Sequence, residues 1–249
     1  MRNFFSHWQA DYKDKSFDDV HIPQWVETTK KWKDEYPICS PEYYKERGYV
    51  NPYVFMKVLS KVAPNDAVIV TDCGGNLTWT MQGFEPKADQ YVFSAMGNSP
   101  MGYSMAAAVG ASIALGGRPV ICIIGDGGMQ VNIQELQTIA HYKLPLKIFL
   151  LNSRSYAIIV NFQDEVFGGN HCAVTKETGY SCPNFLKVAQ AYGVGVLGIT
   201  DHFELEEMIR TAFASDGPLV CDVNIFESQR LIPKVQFGNS LDKMHPLIT

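Results

Sequence analysis

Asp126 stands between Gly125 and Gly127 at the end of the apolar run Val120-Ile121-Cys122-Ile123-Ile124. Twenty-four residues intervene, 128 through 151, and a second apolar run, Ile148-Phe149-Leu150-Leu151, then closes on Asn152-Ser153. Two buried strands ending side by side would each present an oxygen ligand at the carboxyl end. A carboxylate at 126, a side-chain oxygen at 153 and a nearby backbone carbonyl suit magnesium. That ion takes near-octahedral oxygen coordination at about 2.1 Å and usually keeps water and phosphate oxygens. Glycines beside the acid let the backbone approach an anionic diphosphate, and a helix N-terminus after such a turn favours the same charge. A glycine-flanked acid by itself is common at strand ends. The second turn at this spacing makes the pair specific.

The surrounding pattern supplies the elements that must position these groups. Asn51-Pro52 reads as a helix cap and first-turn proline, followed by Val54, Phe55, Val58, Leu59 and Val62 at helical spacing. Short strands are predicted at 67–70, 120–124, 146–151, 194–199 and 219–225. Helices are predicted at 104–115, 134–141, 184–192 and 204–214. This alternation implies an α/β fold, a doubly wound, mainly parallel sheet with helices on both faces. Ligands of such sheets bind beyond the carboxyl ends of the strands. Three Gly/Asn-rich segments fall there: Asp72-Cys73-Gly74-Gly75-Asn76, Gly125-Asp126-Gly127-Gly128 and Asn152-Ser153-Arg154-Ser155. Residues 1–48 differ, being rich in charged and aromatic side chains with irregular apolar spacing. They read as a linker or wrapping arm with a helix around 24–33, leaving 49–249 as the compact domain.

The 249 residues are 46% hydrophobic and 19% charged, ordinary for a globular protein, and the net charge of −5 argues against a nucleic-acid surface. No apolar run approaches the ~18 residues that span a bilayer, so no membrane role is expected. The opening residues carry no secretory pattern. The six cysteines form no CxxC pair and read as reduced thiols of a cytoplasmic protein.

Several stretches resemble the acetolactate synthase family of thiamine-diphosphate enzymes. The GDG turn and the Asn-containing turn after it are similar to that cofactor's signature. Gly97-Asn98-Ser99-Pro100-Met101-Gly102-Tyr103 is similar to the family's G-x-x-x-M-G-Y/F segment. Asn132-Ile133-Gln134-Glu135-Leu136-Gln137-Thr138 resembles its N-x-Q-E-L-x-T helix, and Gly217-Pro218-Leu219-Val220-Cys221-Asp222-Val223 its GPxLLDV strand. The resemblance covers roughly residues 45–240. It implies thiamine diphosphate and Mg²⁺ as cofactors, with Asp126, Ser153 and the carbonyl of Ser155 as metal ligands. It places Gly74, Gly75, Asn76, Gly125, Gly127 and Gly128 at the diphosphate. Gly97 and Tyr156 join them at the cofactor, and Met101 becomes the apolar wedge that bends its two rings toward each other. Ser153 departs from the family's second Asn, a shorter ligand, and Phe162 stands where true acetolactate synthases tend to have Trp.

The implied activity is decarboxylation of a 2-oxoacid with transfer of the acyl-anion equivalent to an acceptor. The alternatives are a split 2-oxoacid decarboxylase subunit and a non-catalytic cofactor-binding or regulatory homologue. In the family, the activating Glu lies in a separate pyrimidine-binding domain, and nothing here matches it. No catalytic residue is therefore assigned in this chain. A partner carrying that domain, and an oligomer, are expected. Three features take blander readings. Asn76 could simply cap a helix. His171-Cys172 is an accidental neighbour pair, and Gln163-Asp164-Glu165 a solvated loop.

Overall fold

In the computed structural model, the described residues are 22–227, 229–236, 238–240 and 243–245. Contacts divide the chain into two units, one ending at Ile38 and one running from Cys39. The first contains helix α1 (Ile22–Glu35), where Trp25 and Trp32, seven positions apart, meet edge to face with centroids 5.4 Å apart. The expected helix at 24–33 lies within it. The first 21 residues of the predicted arm lie outside the described residues.

The second unit is built on six strands: β1 (Val68–Thr71), β2 (Tyr91–Phe93), β3 (Val120–Gly125), β4 (Lys147–Asn152), β5 (Gly195–Ile199) and β6 (Leu219–Asn224). They form one sheet in the order β2-β1-β3-β4-β6-β5, and every pairing in it is parallel. Parallel strands covered on both sides read as continuous apolar runs, and β3 and β4 are buried at every position. A small antiparallel ladder joins β7 (Lys234–Val235) to β8 (Met244–His245).

The helices are α2 (Pro52–Val62), α3 (Gly75–Gly83), α4 (Tyr103–Ala114), α5 (Asp126–Val131), α6 (Glu135–His141), α7 (Ala157–Val166), α8 (Phe185–Ala191) and α9 (Leu205–Ala214). Asn51 caps α2 as the sequence predicts, accepting the Tyr53 N–H at 2.9 Å, with Pro52 in the first turn. Strand alternation sorts the core into two layers. Val70, Cys122, Ile124, Ile148, Leu150 and Val220 face Met105, Ala108, Leu136, Ile139 and Phe185 of α4, α6 and α8. Phe149 points the other way, between Phe55 of α2 and Phe213 of α9, with centroids at 5.4 and 6.0 Å.

Three features correct the sequence reading. β2 was missed because it has three residues on a sheet edge and Tyr91 is exposed. The Gly/Asn-rich segments after β1 and β3 lead straight into α3 and α5, the helix N-termini expected after such turns. Gln163-Asp164-Glu165 is the last part of helix α7. It is not a solvated loop, since Asp164 pairs with His171 and Arg230, and Glu165 with Lys234. Residues 40–50 pack onto the α/β unit: Asn224 Nδ2 donates to Gly48 O at 2.8 Å, and the Val50 N–H to Asn224 O at 2.8 Å. No helix among the described residues is long and apolar enough to cross a membrane.

Candidate cofactor site

β1, β3 and β4 are neighbours, and their carboxyl ends deliver 72–76, 125–128 and 152–155 to one crevice. The chain leaves β1 outward to β2 and then returns inward to β3, so the crevice opens at a topological switch point. A cavity of about 480 Å³ lies there, lined by all three segments together with Met101, Tyr156 and the apolar wall of Leu151, Ile158 and Ile159. Of the residues predicted for the site, Gly74, Gly75, Asn76, Met101, Gly125, Asp126, Gly127, Gly128, Ser153, Ser155 and Tyr156 all border this cavity. Gly97 does not. It sits on a short 3₁₀ turn (Met96–Asn98), and a side chain built on it would meet no atom within 4 Å.

Asp126 is 4% exposed. One carboxylate oxygen accepts the Gly127 N–H at 2.9 Å and the other the Ser155 N–H at 3.1 Å, so the acid from β3 is tied directly to the turn after β4. Burial pushes its carboxyl up to about 6, while these N–H groups and the nearby Tyr180 hydroxyl pull the other way. A cation at this spot would restore the anion. The Ser153 hydroxyl donates to the Ser155 carbonyl at 3.0 Å. Adjacent ligands of an octahedral magnesium lie about 3.0 Å apart, √2 times the ~2.1 Å bond. The serine hydroxyl and the carbonyl therefore already have the separation such an ion requires, and all three donors are hard oxygens.

The diphosphate side shows a matching cradle. Gly127 is closed over by neighbours: a Cβ there would lie 2.4 Å from Tyr156 Cε1 and 2.8 Å from Met101 Cε. Only bare backbone fits there. α3 starts at Gly75 without a side-chain cap, so its first-turn N–H groups lack intrahelical acceptors. Asn76 does not cap that helix. Its amide donates to Cys73 O at 3.4 Å, and its buried Oδ1 has no partner. These residues fit a metal-bound diphosphate.

The sequence reading passed over three neighbours. Asp72 is 1% exposed and accepts the Gly102 and Ser104 N–H groups, both at 3.0 Å, pinning the start of α4 to the end of β1. Its signal was present, an acid at a strand's carboxyl end. Tyr180 packs at a tilt of 59° against Tyr156 with centroids 4.4 Å apart, and burial with the nearby Asp126 charge pushes its hydroxyl far above its ordinary range. Its loop carries no local pattern that would have marked it. Trp79 lies over Gly75, with ring carbons 2.8 to 3.1 Å from where a Cβ would stand. His171 Nε2 lies 2.7 Å from Asp164 Oδ1, and Cys172 meets Gln163 through its backbone N–H.

A doubly wound sheet whose switch-point crevice offers a buried carboxylate, a tight oxygen turn and a bare-backbone cradle is the architecture of an α/β domain that binds a phosphate-bearing cofactor. Residues 72–223 match the family model described as thiamine pyrophosphate enzyme, C-terminal TPP binding domain. The chain belongs to that family. It is 32% identical over 223 residues to an acetolactate synthase large subunit of Porphyra purpurea, covering 90% of this chain and 37% of that protein. It is 33% identical over 226 residues to that of Buchnera aphidicola, covering 90% and 38%. The chain thus spans under two-fifths of the length of these relatives. The Rhodococcus jostii RHA1 thiamine diphosphate-dependent 4-hydroxybenzoylformate decarboxylase shares the fold, with a TM-score of 0.64 and 24% identity over 74% of this chain and 34% of that one.

Proposed function

We propose that this chain is the magnesium- and diphosphate-holding part of a cytoplasmic enzyme that decarboxylates a 2-oxoacid and joins the remaining acyl unit to an acceptor. The observation that carries this reading is the meeting of Asp126 with the 153–155 turn: Ser155 N–H to the carboxylate at 3.1 Å, Ser153 hydroxyl to Ser155 carbonyl at 3.0 Å. Asp126, Ser153 and the Ser155 carbonyl would hold Mg²⁺. The N–H groups of Gly74, Gly75, Asn76 and Gly128 would take the diphosphate, with Gly127, whose own N–H holds Asp126, leaving the room it needs. Met101 and Tyr156 would support the rings, while Leu151, Ile158 and Ile159 keep water away. Thiamine diphosphate, when bound, supplies the carbon that adds to the keto group and accepts the electron pair released with carbon dioxide. The chain's own part is to fix that carbon in a dry wall of side chains. The glutamate that addresses the pyrimidine ring is expected on a pyrimidine-binding domain or subunit, within an oligomer. The name of the relatives, acetolactate synthase large subunit, supports ligation over simple decarboxylation.

Calorimetry tests the reading. Thiamine diphosphate should bind the full chain with Mg²⁺ and lose that dependence in Asp126→Asn. Without a pyrimidine-binding partner, the chain should release no carbon dioxide from pyruvate. Cofactor binding indifferent to both Mg²⁺ and Asp126 would refute the metal assignment. Ser153, with its short side chain, favours one second reading, a homologue that kept the fold without turnover. Cofactor binding that ignores Mg²⁺ with the pyrimidine-binding partner present would select it, and Mg²⁺-dependent binding would exclude it.

A further inference from the structure

The motif Asn132-Ile133-Gln134-Glu135-Leu136 has no task in the site described so far, yet Asn132 reaches it from the end of α5. Its Nδ2 donates to Gly102 O at 2.8 Å. Its Oδ1 accepts the Gln134 side-chain amide at 3.2 Å, which fixes which way the group faces. Gly102 follows Met101 directly. Its N–H is held by Asp72 at 3.0 Å, so both polar groups of this one residue are clamped from opposite sides. The clamp permits little else. Gly102 has φ +82°, and a Cβ on it would lie 2.9 Å from the Asn132 amide and 3.1 Å from Gly128 O. With its N–H and its C=O both held, Gly102 fixes one end of the backbone on which the preceding side chain is mounted. That side chain, Met101, is 37% exposed, borders the cavity and brings its terminal methyl against Gly127.

We propose that Asn132 is a positioning residue: through Gly102 it holds Met101 in place as the apolar support of the cofactor's rings. This rests on the reading of Met101 under Proposed function. Methionine has three rotatable bonds and fills space adaptably, so an unpinned Met101 would lose its aim while the metal turn stays intact. The consequence is selective. Asn132 should matter for a ligand that has rings and not for one that is only a diphosphate.

The test is a double-mutant cycle on the full chain with Mg²⁺, titrated with thiamine diphosphate and, separately, inorganic pyrophosphate. Asn132→Ala should weaken thiamine diphosphate about fivefold, the equivalent of one neutral hydrogen bond of ~1 kcal/mol, and leave pyrophosphate within about twofold. On a Met101→Ala background, Asn132→Ala should add nothing. Equal weakening of both ligands, or full additivity, would overturn the assignment. In ¹³C-methyl methionine spectra of the ligand-free chain, the Met101 signal, identified by its loss in Met101→Ala, should sharpen and move toward its unfolded position in Asn132→Ala. An unchanged Met101 signal would also overturn it. Should wild type fail to bind pyrophosphate, the diphosphate reading falls while the methyl signal still decides on Asn132. If Asn132→Ala does not fold, Asn132→Ser, which keeps a donor too short to reach, serves in the same cycle.

Discussion

Gly128→Ala puts a methyl group where the structure has no room for it. An ideal Cβ at 128 falls 2.2 Å from Asp72 Oδ2, and close C···O contacts begin at about 3.3 Å. The carboxylate must therefore retreat by about 1 Å. It cannot do so freely, because its two oxygens hold the Gly102 and Ser104 N–H groups at 3.0 Å and the residue is 1% exposed. Breaking one buried bond to a charged acceptor costs about 1.5–3 kcal/mol. Strain from overpacking adds about 1–3 kcal/mol. The sum, roughly 2.5–6 kcal/mol, is a large part of the ~5–15 kcal/mol that holds a domain folded.

Urea unfolding of the cofactor-free chain, followed by circular dichroism, measures this without involving ligand. The midpoint of Gly128→Ala should fall steeply. Gly97→Ala, where a Cβ meets nothing within 4 Å and φ is not positive, is the control and should stay within ~0.5 kcal/mol of wild type. If Gly128→Ala unfolds together with that control, Asp72 is mobile and the clamp between β1, α4 and the Asp126 turn does not exist.

Gly110→Ala, in α4 with open space around it, should stabilise the chain by about 0.5–1 kcal/mol in the same assay; a loss would mean the helix face is occupied. Lys147→Met keeps the buried stem in β4 but strips the ammonium from Ser215 O, Ser215 Oγ and Gly217 O at 2.7, 3.1 and 2.7 Å. It should cost about 1–3 kcal/mol, and a neutral result would show those carbonyls satisfied by water. His202 accepts the Asn51 N–H on Nε2 at 2.7 Å. Burial holds its pKa below the ordinary 6.5, against the pull of Asp201 and Glu46 and with help from Arg47. The unfolded chain therefore takes the proton first, and stability should fall as pH drops through about 6.5. His202→Gln should flatten that dependence; an unchanged slope would assign it to other groups. Ser153→Asn, which returns the family's amide, should leave Mg²⁺-dependent cofactor binding within about twofold by calorimetry, because the turn is fixed from outside; a several-fold gain would show that side-chain reach limits the site.

What the sequence made legible follows from local physics. β3, β4 and β6 announce themselves because central parallel strands are apolar on both faces, and α2 and α9 because their buried stripes recur at helical spacing. α3 was hidden. Gly75-Asn76-Leu77-Thr78-Trp79-Thr80 begins with poor helix formers and no cap, and a tertiary bond supports it, Thr80 Oγ1 to Thr71 Oγ1 of β1 at 3.1 Å. Lys147 reads as a break in an apolar run, yet it is buried because three oxygens distant in sequence receive it. Asp126 and the 153–155 turn could be named from strand ends alone. The grip of Asp72 on 102 and 104, or of Asn132 on 102, joins segments about thirty residues apart and leaves no periodic trace.

The same distinction bears on Ser153. A short hydroxyl in place of an amide weakens a site if side-chain reach sets the ligand positions. Here the backbone sets them. Arg154 takes φ +55°, a left-handed conformation that costs a non-glycine residue about 1–2 kcal/mol. Its guanidinium offsets that by bonding Asn224 Oδ1 at 2.6 Å and Ile225 O at 3.4 Å. Asn152 steadies the turn from the other side, accepting the Arg154 N–H at 3.2 Å and donating to Asp222 at 3.3 Å. Ser155 completes it, donating from Oγ to Glu227 O at 2.9 Å. Residues at and just beyond the end of β6 thus hold the Ser155 carbonyl and the Ser153 hydroxyl where they stand. With the turn fixed from outside, a serine at 153 would offer its oxygen to the proposed cation without needing the length of asparagine, and the Asp126 carboxylate, bonded to the same turn, would complete the proposed set of three.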